Sequence, residues 1–144
     1  MRIFLIATVL LAACAQTTSV ADAEAELRQA TEYYARLVKA MDSNAIANLY
    51  TADGESIIAG QAPIHGREAI RKQLESFSGY SVQSERLTAD AITLDGPRAH
   101  VNGTYRQRVR VPAGDVIEVH GAYAADWLSE GNHWHLQKLL TTPQ

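Results

Sequence analysis

Histidine is the side chain best suited to proton transfer near neutral pH, because its unperturbed pKa of about 6.5 is moved across that range by small changes in environment. Of the 5 histidines in the chain, His65 has the setting of a general base: it directly precedes the helix start Gly66-Arg67-Glu68-Ala69-Ile70, where the fold is expected to open. The simpler alternative is a structural histidine beside a glycine. His133 and His135 alternate along a strand and share a face with Asp126, which is metal-ligand chemistry. The spacing assures no third ligand around one ion, so no metal is expected. Asp53, followed by Gly54, is a turn residue first and a ligand-site candidate second. A glycine-rich phosphate loop, a Gly-x-Ser-x-Gly elbow and a Cys-His pair are all missing from the sequence, and no cofactor is expected. Net charge is −3 and the lysines and arginines form no block, which argues against a nucleic-acid partner.

These residues must be positioned by elements that can be read from periodicity. Leu27, Ala30, Tyr34, Leu37, Val38 and Met41 recur at spacings of three and four, which predicts a helix over 22–41. Asp42 or Ser43 then caps a short second helix bearing Ile46, Leu49 and Tyr50, which is expected to run out through an Asp53-Gly54 turn. A short irregular hairpin over 55–65 leads to a third helix, with Ile70, Leu74 and Phe77 on one side and Gly79 as its stop. Beyond Gly79 the period becomes two, and turn signals at Asp95-Gly96-Pro97, Pro112-Ala113-Gly114 and Glu130-Gly131 divide four strands, about 80–94, 98–111, 115–128 and 133–141.

A three-residue loop closed by a left-handed Gly114 sets Val109 opposite Ile117, Arg108 opposite Glu118, Tyr105 opposite Gly121 and Gly103 opposite Tyr123. A two-residue Glu130-Gly131 turn sets Trp127 opposite Trp134, Ala125 opposite Leu136 and Tyr123 opposite Lys138. One sheet face is then apolar, with Tyr105, Tyr123, Trp127, Trp134, Leu136 and Leu140, and Lys138 as its odd member, reaching for the rim. The other face carries Arg106, Arg108 and Arg110 with Glu118, either a solvated stripe or the surface of a homodimer. Mid-strand Gly103 and Gly121 mark bends. The fold class is therefore α+β: three N-terminal helices packed in a strongly curved antiparallel sheet, a cone-shaped α+β barrel with a mouth.

Ahead of this domain, Arg2 and the apolar run from Ile3 to Ala13 form a signal segment too short to span a bilayer. It ends in Leu11-Ala12-Ala13-Cys14, which resembles the lipobox of bacterial lipoproteins, and Cys14 is the only cysteine. The expected organisation is a signal peptide over 1–14 with lipidation at Cys14, a flexible tether over 15–21, and the domain over 22–144. Ala15, not Asp, follows the cysteine, as in lipoproteins sent to the outer membrane, here facing the periplasm. The alternative is a secretory signal cut after Ala15 or Ala21, leaving a soluble periplasmic or secreted protein.

The sequence Leu49-Tyr50-Thr51-Ala52-Asp53-Gly54, the Gly66-Arg67-Glu68-Ala69-Ile70 helix and the late Trp-bearing strands resemble the nuclear transport factor 2-like superfamily, and within it the SnoaL-like domains. The superfamily's ketosteroid isomerases carry a catalytic tyrosine on the first helix, and Tyr34 falls on that position. Their general-base aspartate falls on Ile58, with Ile57 beside it, and their second acid falls near Ala124 or Ala125. Tyr34 is therefore either a hydrogen-bond donor in a pocket or a core aromatic whose hydroxyl reaches the mouth. The resemblance implies a small, largely apolar molecule in the cone, with Tyr50, Asp53, Tyr105, Tyr123, Trp127 and Lys138 as binding residues. Two alternatives accompany it: an isomerase, cyclase or hydrolase using His65 and Tyr34, and a non-catalytic dimerisation module.

Overall fold

The computed structural model describes residues 18–144; Cys14 and the signal segment lie outside them. Helix α1, Val20–Ala40, starts slightly earlier than the apolar spacing predicts, because the Ser19 hydroxyl caps it by accepting from the Asp22 backbone N–H at 3.1 Å. It ends where Met41 turns left-handed (φ 53) and its N–H reaches the Leu37 and Val38 carbonyls. Asp42 caps α2, Ser43–Leu49, through the Ala45 N–H at 2.9 Å.

Strand β1, Tyr50–Ile58, follows α2 directly. Asp53-Gly54 is thus an irregularity inside β1 and not the helix-to-strand turn expected of it. The cause is local crowding: a Cβ on Gly54 would lie 2.8 Å from Tyr50 Cβ, so only glycine lets the strand double back over that side chain. Strand β2, Ile64–His65, pairs antiparallel with β1, and α3, Arg67–Glu75, follows a Gly66 start. Arg67 Nε donates to the Tyr50 carbonyl at 2.7 Å, fixing α3 to the start of β1.

The long strands are β3 (Ser81–Asp95), β4 (Arg98–Arg110), β5 (Val116–Glu130) and β6 (His133–Pro143), joined as antiparallel hairpins. The sheet order is β2-β1-β6-β5-β4-β3, and β1 joins β6 in parallel, so the curled sheet is mixed. The β4–β5 register matches the expectation pair for pair, including Gly103 opposite Tyr123 and Arg108 opposite Glu118. The Glu118 carboxylate nevertheless closes its ion pair with Arg106, at 3.3 Å.

The β5–β6 register differs. The turn is Gly131-Asn132, both left-handed (φ 56 and 66), so Glu130 pairs with His133 and Trp127 faces Leu136, while Trp134 faces Ser129. An extra residue, Gln137, then bulges β6 and flips every later side chain: Leu139 turns into the core, and Lys138 turns out. Bends at Gly103 and Gly121 give the sheet its curl. A Cβ on Gly103 would come 1.7 Å from the Thr88 carbonyl oxygen, and one on Gly121 would come 2.2 Å from that of Thr142. Inside the curl, Leu27, Leu37, Ile46, Tyr50, Ile70, Val101, Tyr123, Trp127, Leu136 and Leu139 form one core with the helices.

Candidate functional site

Between α1 and the concave sheet face lies a cavity of about 320 Å³. Helix α1 contributes Tyr34 and Val38, β3 contributes Glu85 and Leu87, β4 contributes Tyr105 and Gln107, and β5 contributes Val119 and Tyr123. Ile58, Leu139 and Thr141 close it on the β1–β6 side, and Phe77 stands at its edge. Phe77, Val38, Gln107 and Val119 also line an apolar groove of about 340 Å³ that continues toward Met41, Tyr80 and Ile117. Cavity and groove together have the character of a small-molecule site, mostly apolar with a few polar groups.

Three of the expected residues meet in the cavity: Tyr34, Tyr105 and Tyr123. Burial, then Tyr50, then the nearby Glu85 push the Tyr34 hydroxyl well above the ordinary tyrosine range, so it is a donor at any physiological pH. Burial and Glu85 also raise Tyr105. Burial pushes Tyr123 up to about 12, and its hydroxyl is committed to the Thr88 carbonyl at 3.0 Å. Tyr50 lies behind Tyr34 in the core, 1% exposed and pushed up to about 12 by burial, with hydrogen bonds to Ser56 and Tyr34 pulling the other way. Trp127 is core as well, 3% exposed.

The remaining expected residues stand outside. Asp53 is exposed and accepts from the Thr51 hydroxyl at 3.1 Å. His65, expected at the mouth, has a side chain 66% exposed on β2 and pairs with Glu55 at 3.3 Å. Lys138, expected on the inner face, reaches the same Glu55 at 3.9 Å, because the Gln137 bulge turns it outward. His65 and Lys138 are thus brought together, but around Glu55 on the outer side of β1. Asp126 pairs with His100 at 2.5 Å across β4 and β5, and not with His133 or His135. Among the described residues, no group of three could hold a metal ion.

Ile58 does line the cavity, and Ala125 lines a small void beneath it, so neither position places an acid there. The carboxyl in the cavity comes from elsewhere: Glu85. Its Oε2 is shut off from solvent with no hydrogen-bond partner, and burial pushes the group up to about 7 against the opposing Gln107 amide. A carboxyl poised there can accept or donate a proton near neutrality. Sequence reasoning missed it because β3 bulges twice, near Gln83 and near Asp90, so its inward set Glu85, Leu87, Ala89, Ile92 and Leu94 keeps no single parity. A lone acid in step with Leu87 and Ala89 was the available signal.

A model of the SnoaL-like domain matches residues 19–139. The chain belongs to the SnoaL-like domain family. Solved structures add the fold to that assignment. A ketosteroid isomerase-like protein from Erwinia carotovora atroseptica is 16% identical, covering 83% of this chain and 94% of its own, with a TM-score of 0.74. A nuclear transport factor 2-like protein with a cystatin-like fold from Novosphingobium aromaticivorans is 18% identical, covering 88% and 90%, at TM-score 0.68. A protein from Catenulispora acidiphila in complex with S-DNPA is 16% identical, covering 85% and 94%, at TM-score 0.74. No curated protein sequence matches the chain. At these identities the likeness shows the shared fold alone.

Proposed function

We propose that this SnoaL-like domain is exported, anchored by lipid at Cys14, and binds a small, largely apolar molecule in its cone. The observation that carries the reading is the cavity of about 320 Å³, where mostly apolar walls carry a few polar side chains, among them Tyr34, Glu85, Tyr105 and Gln107. The Catenulispora structure, solved in complex with S-DNPA, supports the reading. Mass spectrometry of small molecules carried through native purification tests it. A defined species should accompany the protein, and Val119→Trp, which fills the wall shared by cavity and groove, should remove it with the fold retained. No species on the wild type, or one retained in full by the filled variant, would overturn the reading.

A second reading is catalysis, and the pKa and location of Glu85 favour it over His65 as the acid–base group. Any turnover should then show a pH–rate limb near 7 that Glu85→Gln removes, with the about 10²–10⁴-fold loss usual for such groups, while His65→Ala leaves the rate unchanged. The Arg106, Arg108 and Arg110 face is the surface proposed for any homodimer.

A further inference from the structure

Glu85 is a carboxyl with an unmet need. It lines the cavity, yet its Oε2 has no donor, and the groups bearing on it are Tyr34 from α1 and Tyr105 and Gln107 from β4. Among the described residues, no lysine or arginine acts on it. An anion taken out of water without a counter-charge is unfavourable, and a partner that supplies both a positive charge and a donor gains more there than one supplying a donor alone. The last torsion of a glutamate is broad, so a partial turn swings the covered oxygen toward the cavity. Tyr34, Tyr105 and Phe77 bring three aromatic rings to the same wall, a lining that favours a cation over a neutral group.

We propose that the cavity takes a small apolar amine, with its ammonium donating to the Glu85 carboxylate and its hydrocarbon body packed on Leu87, Phe77 and Val119. The proposal rests on the binding reading above and narrows it to one ligand class. The partly raised pKa sets the direction of its pH dependence: the anchor is charged above about 7, whereas a simple alkylamine stays protonated to about 10, so binding should strengthen as pH rises toward about 7 and hold steady from there to about 10.

The test is calorimetry on the purified protein with 2-phenylethylamine, 2-phenylethanol and ethylbenzene, probes of one shape and different heads. At a pH of about 8 the amine should bind roughly ten- to a hundredfold more tightly than either neutral probe, the range of a hydrogen bond to a charged group. That advantage should disappear at a pH of about 5.5, where Glu85 is protonated, and in Glu85→Gln at either pH. The pH comparison in the wild type stands without the variant. Equal binding of amine and alcohol would overturn the amine in favour of a neutral donor. Ethylbenzene matching the amine would overturn the Glu85 anchor while leaving the apolar cavity reading intact. Failure of all three to bind would overturn both.

Discussion

Glu85→Gln should make this protein more stable in mild alkali and flatten its stability across neutral pH. In the folded chain the carboxyl titrates at about 7, against 4.5 in its ordinary state. The folded state therefore binds its proton more tightly than the unfolded state, and between those two values stability must fall as pH rises. At 1.36 kcal/mol for each pH unit the ceiling is about 3 kcal/mol. Glu85 is only partly buried and water screens part of its charge, which brings the expected loss to about 1–2 kcal/mol. Glutamine keeps the shape and the Gln107 contact without the charge. The assay is urea unfolding of wild type and variant at several pH values from about 4 to 8, because the difference between the two profiles isolates this one group. The profiles should meet at the acid end and diverge through neutrality, with the variant the more stable at the alkaline end. Parallel profiles, or a wild type more stable than the variant at alkaline pH, would refute the claim that Glu85 sits unpaired in the cavity.

Other consequences can be measured directly. Gly103→Ala should cost about 2–5 kcal/mol in urea unfolding, since a Cβ would meet the Thr88 carbonyl at 1.7 Å and displace the Tyr123 hydroxyl from it; a cost under about 1 kcal/mol would mean that the sheet is not pinched there. Trp127→Ala should cost about 3–5 kcal/mol and remove the buried indole emission. Trp134, whose Nε1 donates to Glu26 at 3.2 Å at the edge of the core, should cost less and emit further to the red; the reverse order would put the β5–β6 register in error. In a Gram-negative host the full chain should partition into detergent and gain the mass of a diacylglyceryl group, and Cys14→Ser should abolish both. A soluble mature form beginning at Gln16 or Asp22 would rule lipidation out.

What could be read from the sequence depended on how strongly each stretch fixes its own geometry. The β4–β5 hairpin was legible because left-handed Gly114 sets the loop and Arg108 opposite Glu118 checks the register. The next hairpin was not: Asn132 adopts left-handed backbone as Gly131 does, so the turn moved by one residue, and nothing in the composition of Gln137 announced a bulge. That pair of local choices decides whether Lys138 or Leu139 enters the core. The same limit hid Glu85, whose strand bulges twice and so loses its parity. Tyr34, Tyr105 and Tyr123 were found because a regular helix and a well-registered hairpin hold them. His65 was misplaced because the two-residue β2 follows β1, and the outward side of β1 is set by its distant partner β6.

That partnership also governs when the protein can fold. The hydroxyl of Thr141 donates to the Ile57 carbonyl at 3.4 Å across a separation of 84 residues, and both strands belong to the cavity wall. A ribosome delivers the chain N-terminus first, so β1 waits without its neighbour until the final strand appears, while the β3–β4 and β4–β5 hairpins can already pair. Closing so long a loop carries a large entropic cost that only the finished wall repays. The cone should therefore shut last, along the β1–β6 seam, and pulse-labelled hydrogen exchange should find β1 amides protected after those of β4. Early protection of β1 would contradict this order. Until then the chain is a set of hairpins and helices whose cavity wall stays open along that seam.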